Sequence, residues 1–242
     1  VSVLLLGHPV RAGLARGTLT FEPVASAGCI LVRPEIDPFL GDLGNGFGAL
    51  VGGTLPTPGG PPLPPGPPAV AGTDIGLLMP GDAAVVDGSA GTVRLDEVTP
   101  VEVVTAFLQR EDGRILLLRR SERVGSFRGA WAAVSGFLEA ASPELQAIQE
   151  IEEETGIPRT QLTLVRRGSP IRARGGDRLY LVHPFRFRVP MVDVHIDWEH
   201  SEMEWVLPQE IARRPTVPRL DRAWEAVEAA GAPPSEAAPG KR

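Results

Sequence analysis

Gly136-Phe137-Leu138-Glu139, then Ser142-Pro143, then Gln149-Glu150-Ile151-Glu152-Glu153-Glu154-Thr155-Gly156-Ile157 spell a loop, a helix start and a helix end crowded with acids. Ser142 is a good N-cap, because its hydroxyl can accept from an amide of the first turn. Pro143 suits the first helical position, where its missing N–H is no loss. Leu145, Ile148 and Ile151 recur at helical spacing and predict the apolar stripe. Gly156 predicts the stop, since glycine readily takes the left-handed conformation that closes helices.

Glu150, Glu153 and Glu154 stand at i, i+3 and i+4, and the reading places all three on the face opposite that stripe. Carboxylates so placed repel one another, and the two nearest the C-terminus also oppose the helix dipole. A solvated acidic face is one explanation. A divalent cation is the other, because Mg²⁺ and Mn²⁺ take hard oxygen ligands. The residues alone leave the two level.

Composition sets the outer limits. The 242 residues allow one large domain or two small ones, and 43% hydrophobic content is ordinary for a globular chain. A formal charge of -6 gives no reason to expect nucleic-acid binding, which favours basic patches. The single cysteine, Cys29, excludes an intrachain disulfide and reads as a small core residue in a reducing compartment. Val1 to Leu6 is too short for a signal segment, and no apolar run approaches the roughly 20 residues that span a bilayer. The expectation is a cytoplasmic protein with a small-molecule partner and no membrane partner, and a homodimer is one assembly open to it.

Proline and glycine, 25 and 28 in number, concentrate in the first third. Short apolar runs alternate with turns there. Val3 to Leu6, Thr18 to Phe21, Cys29 to Val32, Ala49 to Val51, Ala83 to Val86 and Thr92 to Leu95 read as strands. The expectation for residues 1–97 is a small, mostly β domain without a convincing helix. From 98 to 231 the pattern changes. Val101 to Leu108, a Glu111-Asp112-Gly113 turn and Arg114 to Arg120 read as a hairpin. Gln161 to Arg167 and Leu179 to Val189 read as further strands. A strand ends at Trp205-Val206, a short helix opens at Pro208, and Leu220 to Ala229 is a last helix with Leu220, Trp224 and Val227 on one face. Residues 232–242 read as a disordered tail.

The acidic helix and its surroundings resemble the Nudix family, whose box is G-x5-E-x7-R-E-U-x-E-E-x-G-U with U aliphatic. Glu150-Ile151-Glu152-Glu153-Glu154-Thr155-Gly156-Ile157 matches its second half in full. Gln149 stands at the arginine position, and the preceding loop is one residue short, so the early glutamate is missing from Ala140-Ala141-Ser142. The resemblance extends to the hairpin, the Gly129-Ala130-Trp131 lead-in and the late acidic run before Trp205. It implies an α+β chain whose C-terminal domain is a Nudix-type α/β/α sandwich with a mixed sheet. It implies a divalent-metal-dependent hydrolase of a nucleoside diphosphate linked to another moiety, with Mg²⁺ or Mn²⁺ as cofactor. Glu150, Glu153 and Glu154 would be metal ligands, backbone carbonyls near Ser135 and Gly136 would add a ligand, and Glu154 or a later acid would take the proton from water. Glu139 would act through water, Glu199 or Glu202 as a distal base, and Arg119, Arg120 and Arg128 on substrate phosphates. Trp131, His183 and His195 read as structural, and His200 as a hydrogen-bonding or surface residue. Ser169 to Asp177 and Pro190 to Asp197 are the variable segments expected to read the base. The departures at Gln149 and in the loop support an alternative, a nucleotide-binding or regulatory module that kept the fold and lost the chemistry.

The first third resembles the mobile phosphohistidine domain of phosphoenolpyruvate-utilising enzymes. The pieces are Gly28 to Pro38, Thr57-Pro58-Gly59-Gly60, Pro68 to Gly72 and Pro80 to Val93, in that order. That family carries its phosphoryl-accepting histidine soon after the double glycine. Here Pro61-Pro62-Leu63-Pro64-Pro65-Gly66-Pro67-Pro68 follows, which excludes a helix interior and holds no histidine. The resemblance therefore implies a scaffold, docking surface or partial lid rather than a phosphoryl carrier. His8, the only histidine of this domain, reads as a turn or surface residue.

Overall fold

The structure, a computed structural model, describes residues 1–23, 28–36, 46–55 and 65–228. The Thr57 to Gly60 motif, most of the proline-rich run after it, Asp37-Pro38 and the tail at 232–242 lie outside the described residues. The chain divides into two compact units, Val1–Val101 with Arg172–Tyr180, and Glu102–Ile171 with the chain from Leu181 onward.

The first unit is an eight-stranded sheet. Its strands are β1 (Ser2–Leu6), β2 (His8–Arg11), β3 (Leu14–Thr20), β4 (Cys29–Arg33), β5 (Ala49–Gly52), β6 (Ala69–Ala71), β7 (Ala83–Asp87) and β8 (Thr92–Asp96). Their order is β1-β8-β7-β3-β4-β5-β6-β2. The pairs β3–β4, β4–β5 and β5–β6 are parallel, and the others are antiparallel. Parallel strands are buried on both faces and so lose their alternation, and β4, β5 and β6 are accordingly almost wholly apolar. Two strands escaped the sequence reading. β6 is only three residues of small aliphatics, and β2 contains Pro9, which argues against a strand except at an edge. β2 is an edge strand. His8 therefore sits exposed on a strand rather than in a turn.

Arg172–Tyr180 completes this unit. Leu179 joins the core of Val3, Leu5, Leu19, Ile30, Val86 and Leu95. Thr99 N–H donates to the Asp177 carbonyl at 2.8 Å. Arg174 Nη2 donates to Asp82 Oδ1 at 2.8 Å, with the two side chains 5% and 12% exposed. The second oxygen of Asp82 accepts from the Met79 amide, and Arg174 Nε donates to the Gly176 carbonyl. Segment Ser169 to Asp177 is thus not an open loop: most of it is strand β14 (Ile171–Gly175), paired with β15 (Arg178–Arg188). Polar and basic residues hid the strand, because its buried arginine has a carboxylate partner that sequence spacing does not reveal.

The second unit is a mixed layer of strands between two helices. β9 (Thr99–Gln109), β10 (Ile115–Arg120), β11 (Trp131–Ala132), β12 (Val134–Phe137), β13 (Thr163–Arg167), β15 and β16 (His200–Val206) form its sheet. The spine runs β11-β10-β9-β15-β13, with β12 on β9 and β16 on β10. The β9–β10 hairpin closes through Arg110 N–H to the Arg114 carbonyl and Gly113 N–H to the Arg110 carbonyl, with Gly113 at φ 82. Both faces are covered, and the alternation in the strands sorts residues between them. Val104, Ala106, Leu108, Leu116 and Leu118 pack on helix α1 (Pro143–Thr155) through Ala147, Ile148 and Ile151. Phe107, Ile115 and Leu117 face the other way, onto Ile211 of a 3-10 turn (Pro208–Arg213) and onto Leu220, Ala223, Trp224 and Val227 of helix α2 (Leu220–Glu228). The chain is α+β, as expected, with a mostly β first unit and an α/β/α second unit.

Removing one member of the buried Arg174–Asp82 pair leaves an uncompensated charge. Arg174→Ala is expected to lower unfolding free energy by about 3–5 kcal/mol. Arg174→Met combined with Asp82→Asn should recover much of that loss, as followed by urea unfolding of the full chain.

Candidate functional site

Helix α1 is built as its caps dictate. The Ser142 hydroxyl accepts from the Leu145 amide at 3.3 Å, Pro143 occupies the first turn, and Gly156 closes the helix at φ 68. The buried side is Gln146, Ala147, Ile148, Ile151, Glu154 and Thr155. Leu145 is 43% exposed and lies off the stripe. Glu154 lies on it, which corrects the single acidic face expected from spacing. It stands three residues after Ile151 and seven after Ala147, so the helical period carries it inward.

Glu154 is 3% exposed. Its Oε1 accepts from the Ser135 amide of β12 at 3.3 Å, while Oε2 is buried without a hydrogen-bond partner among the described residues. Burial, and after it the charge of Glu150, holds the Glu154 carboxyl well above the usual glutamate range, against the lowering effect of the Ser135 amide. Asp197 and Glu199 push in the same direction. Half-buried Glu150 is raised too, first by burial and then by Glu153, Glu199 and Glu139, with the Gln146 amide opposing. Gly136 makes room for it: a Cβ there would stand 1.9 Å from Glu150 Oε1.

Gln146 organises the loop before the helix. Its Oε1 accepts from the amides of Glu139 at 2.9 Å and Ala140 at 2.7 Å, and its Nε2 donates to Glu150 Oε1 at 2.7 Å. Gln149 Nε2 donates to exposed Glu153 at 2.9 Å, without the positive charge an arginine would bring. His200 is buried at 6% exposure, so it is not a surface residue. Its Nδ1 is 3.0 Å from Asp197 Oδ1, and its Nε2 is 3.7 Å from Glu154 Oε2. That gap is too long for a hydrogen bond. Burial lowers the His200 pKa while Asp197 partly restores it, so burial disfavours the charged form of both His200 and Glu154.

The remaining expected site residues separate. Glu199 stands beside the cluster, its carbonyl accepting from the Ser121 amide at 2.7 Å. Glu202 instead pairs with Arg119 at 2.6 Å on the neighbouring strand. Arg119, Arg120 and Arg128 each donate through Nε to a carbonyl of the connecting loop, at Gly129, Ser126 and Val124. Arg120 is opposite His200 in register and acts on its charge. Trp131 is core, with Arg214 against its ring. His183 pairs with Glu102 at 2.9 Å, and the His195 amide donates to Thr155. Gln146 and Asp197 were missed by sequence reasoning. A Gln four residues before Glu150 and an Asp opening a D-x-E-H turn were the available signals.

Among the described residues no three Asp, Glu, His or Cys side chains are arranged to hold a metal ion as they stand. The amides of Gln146 and Gln149 hold Glu150 and Glu153 in place. The donor set nonetheless suits a hard divalent cation: carboxylates are gathered at one end of a helix, and one buried oxygen has no hydrogen-bond partner among the described residues.

A search among curated proteins gave no match. Among solved structures, a MutT protein from Methanosarcina mazei Go1 is 26% identical, covering 53% of this chain and 93% of that one at a TM-score of 0.46. A C. elegans Ap4A hydrolase in a binary complex is 18% identical, covering 52% and 93% at 0.46. The NUDIX domain of Shewanella oneidensis NrtR, complexed with ADP ribose, is 16% identical, covering 52% and 87% at 0.41. The NUDIX domain family model matches residues 99–226, more than half of the chain and all of the site just described, and the chain belongs to the Nudix hydrolase family.

Proposed function

We propose that the second unit is a divalent-metal-dependent hydrolase that cleaves the pyrophosphate of a nucleoside diphosphate linked to another group. One observation carries this reading: a buried, partnerless oxygen of Glu154 beside half-buried Glu150, on the acidic helix of a Nudix chain. A carboxyl placed so is costly unless a proton or a cation meets it. Glu150, Glu153 and Glu154 would hold Mg²⁺ or Mn²⁺, with a carbonyl at Ser135 or Gly136 in support. The cation supplies charge neutralisation at the pyrophosphate and acidifies water.

The other roles fall to the chain itself. Glu199, whose charge acts on Glu150 and Glu154 and which has no side-chain ion pair among the described residues, is better placed than Glu202 to accept a proton from water. Arg120, opposite His200 in register, is the arginine favoured for a substrate phosphate, while Arg119 is engaged by Glu202. Arg128, exposed, is a further candidate for a substrate phosphate, and Glu139 would support the cation through water. The first unit serves as a scaffold, and its likeness to a phosphohistidine domain gains no support from a family match confined to residues 99–226. Gln149 favours a second reading, a nucleotide-binding module without turnover, because its amide bonds Glu153 without the positive charge of an arginine.

A panel of nucleoside diphosphate derivatives with Mg²⁺ or Mn²⁺ decides between them. The expected outcome is metal-dependent release of a nucleoside monophosphate by the wild type and a loss of at least about 100-fold in Glu154→Gln. Equal background from both proteins on every substrate sinks the enzyme reading.

The metal-free protein offers an independent check. The folded chain holds the Glu154 proton more tightly than the unfolded one, because burial raises its pKa. Stability is then fully present below the ordinary glutamate value and declines as pH rises through the folded-state value. Thermal melting in chelator should show this decline for the wild type. Glu154→Gln should flatten it and melt higher at pH 8.

A further inference from the structure

The chain has four tryptophans. Three have a guanidinium against the ring: Arg110 lies 3.7 Å from the Trp205 centroid, Arg214 5.1 Å from Trp131 and Arg186 5.9 Å from Trp224. Trp198 has no ring or cation partner among the described residues and is 57% exposed. A lone exposed apolar side chain is ordinary on a protein surface. What separates Trp198 from that case is the rigidity and the location of its backbone.

Trp198 is the second residue of a turn fastened at several points. The His200 amide donates to the Asp197 carbonyl at 3.3 Å, and the Glu199 amide donates to Asp197 Oδ1 at 3.1 Å. Asp197 Oδ1 also lies 3.0 Å from His200 Nδ1. On the far side the Ser121 amide donates to the Glu199 carbonyl at 2.7 Å. From Asp197 the buried imidazole of His200 leads directly to Glu154, its Nε2 3.7 Å from Oε2. The bare indole is therefore mounted on a fixed turn, one residue from a side chain that reaches the acidic cluster. A rigid aromatic face loses little entropy on meeting a flat partner.

The substrate class supplies such a partner. A nucleotide has an anionic end suited to metal-bearing carboxylates and an aromatic end with no place among them. We propose that Trp198 is the stacking platform for the nucleobase of the substrate, and this rests on the hydrolase reading given above. Stacking accepts any base, because each has a π face, and discriminates against ligands that lack one. The platform thus selects nucleotides as a class rather than one base.

Adenosine monophosphate and ribose 5-phosphate share the phosphate and the sugar, so comparing them isolates the base. Binding of each to the full chain with Mg²⁺ is measured by calorimetry and by tryptophan emission. The wild type should bind the monophosphate roughly 5- to 150-fold more tightly than ribose 5-phosphate, the range of stacking on one aromatic side chain. Trp198→Ala should erase that difference and the quenching of emission, and Trp198→Phe should keep most of the difference. Guanosine and uridine monophosphates should behave like the adenosine compound. Unchanged monophosphate binding in Trp198→Ala overturns the proposal, as does a wild type that does not distinguish the two ligands. Turnover is scored separately on the nucleotide panel. Hydrolysis with binding indifferent to Trp198 defeats the platform alone. Base-dependent binding through Trp198 without hydrolysis of any substrate upholds the platform and defeats the hydrolase reading.

Discussion

A carboxyl group withdrawn from water must be met by a proton, a cation or a full set of hydrogen bonds, and Glu154 has one bond, from the Ser135 amide. Helix α1 cannot relieve this by turning, because Ala147, Ile148 and Ile151 fix its buried side against the sheet. β12 must pass close enough for the Ser135 bond, and Gly136 permits the approach by leaving space for Glu150. Gln146 then ties the incoming loop to the same helix. The acids are gathered because the sheet and the helix are packed, and their mutual repulsion is stored in the fold.

The opposite wall is built from arginines used as struts. Arg119, Arg120 and Arg128 brace the segment between β10 and β11 by donating to its carbonyls. Ser121 fastens that segment to the Asp197–His200 turn. Basic side chains beside an anionic site invite a substrate-binding role. The geometry here gives each of them a structural task through Nε, and among the described residues the terminal nitrogens of Arg120 and Arg128 have no ion pair. One hydrogen-bond donor on a guanidinium can brace a loop while the rest of the fork faces solvent or ligand.

Much of this was legible beforehand, for local reasons. Ser142, Pro143 and Gly156 state the limits of α1, Asp112-Gly113 states the β9–β10 turn, and Leu220, Trp224 and Val227 state the buried side of α2. What escaped depended on partners distant in sequence. Grouping acids by charge puts Glu154 opposite the apolar stripe, whereas the period followed from Ala147 and Ile151 carries it inward. The sequence around His200 permits a bonded or a surface role, because its burial comes from pairing with β10 and not from its neighbours in the chain. β14 reads as a loop in sequence because a strand can bury Arg174 only where a partner such as Asp82 compensates its charge. Sequence patterns report local geometry well, and they report long-range neutralisation of charge poorly.

The placement of Arg172–Tyr180 in the first unit bears on how the polypeptide acquires its shape as it is made. Domains synthesised first usually fold first. Here the sheet of β1 to β8 lacks Leu179 and the partner of Asp82 until Arg172–Tyr180 has been joined. By then β9, β10 and α1 already exist as chain. The N-terminal unit is thus the earlier to be translated and the later to be complete, and through that interval its Asp82 is a charge waiting for its counterpart.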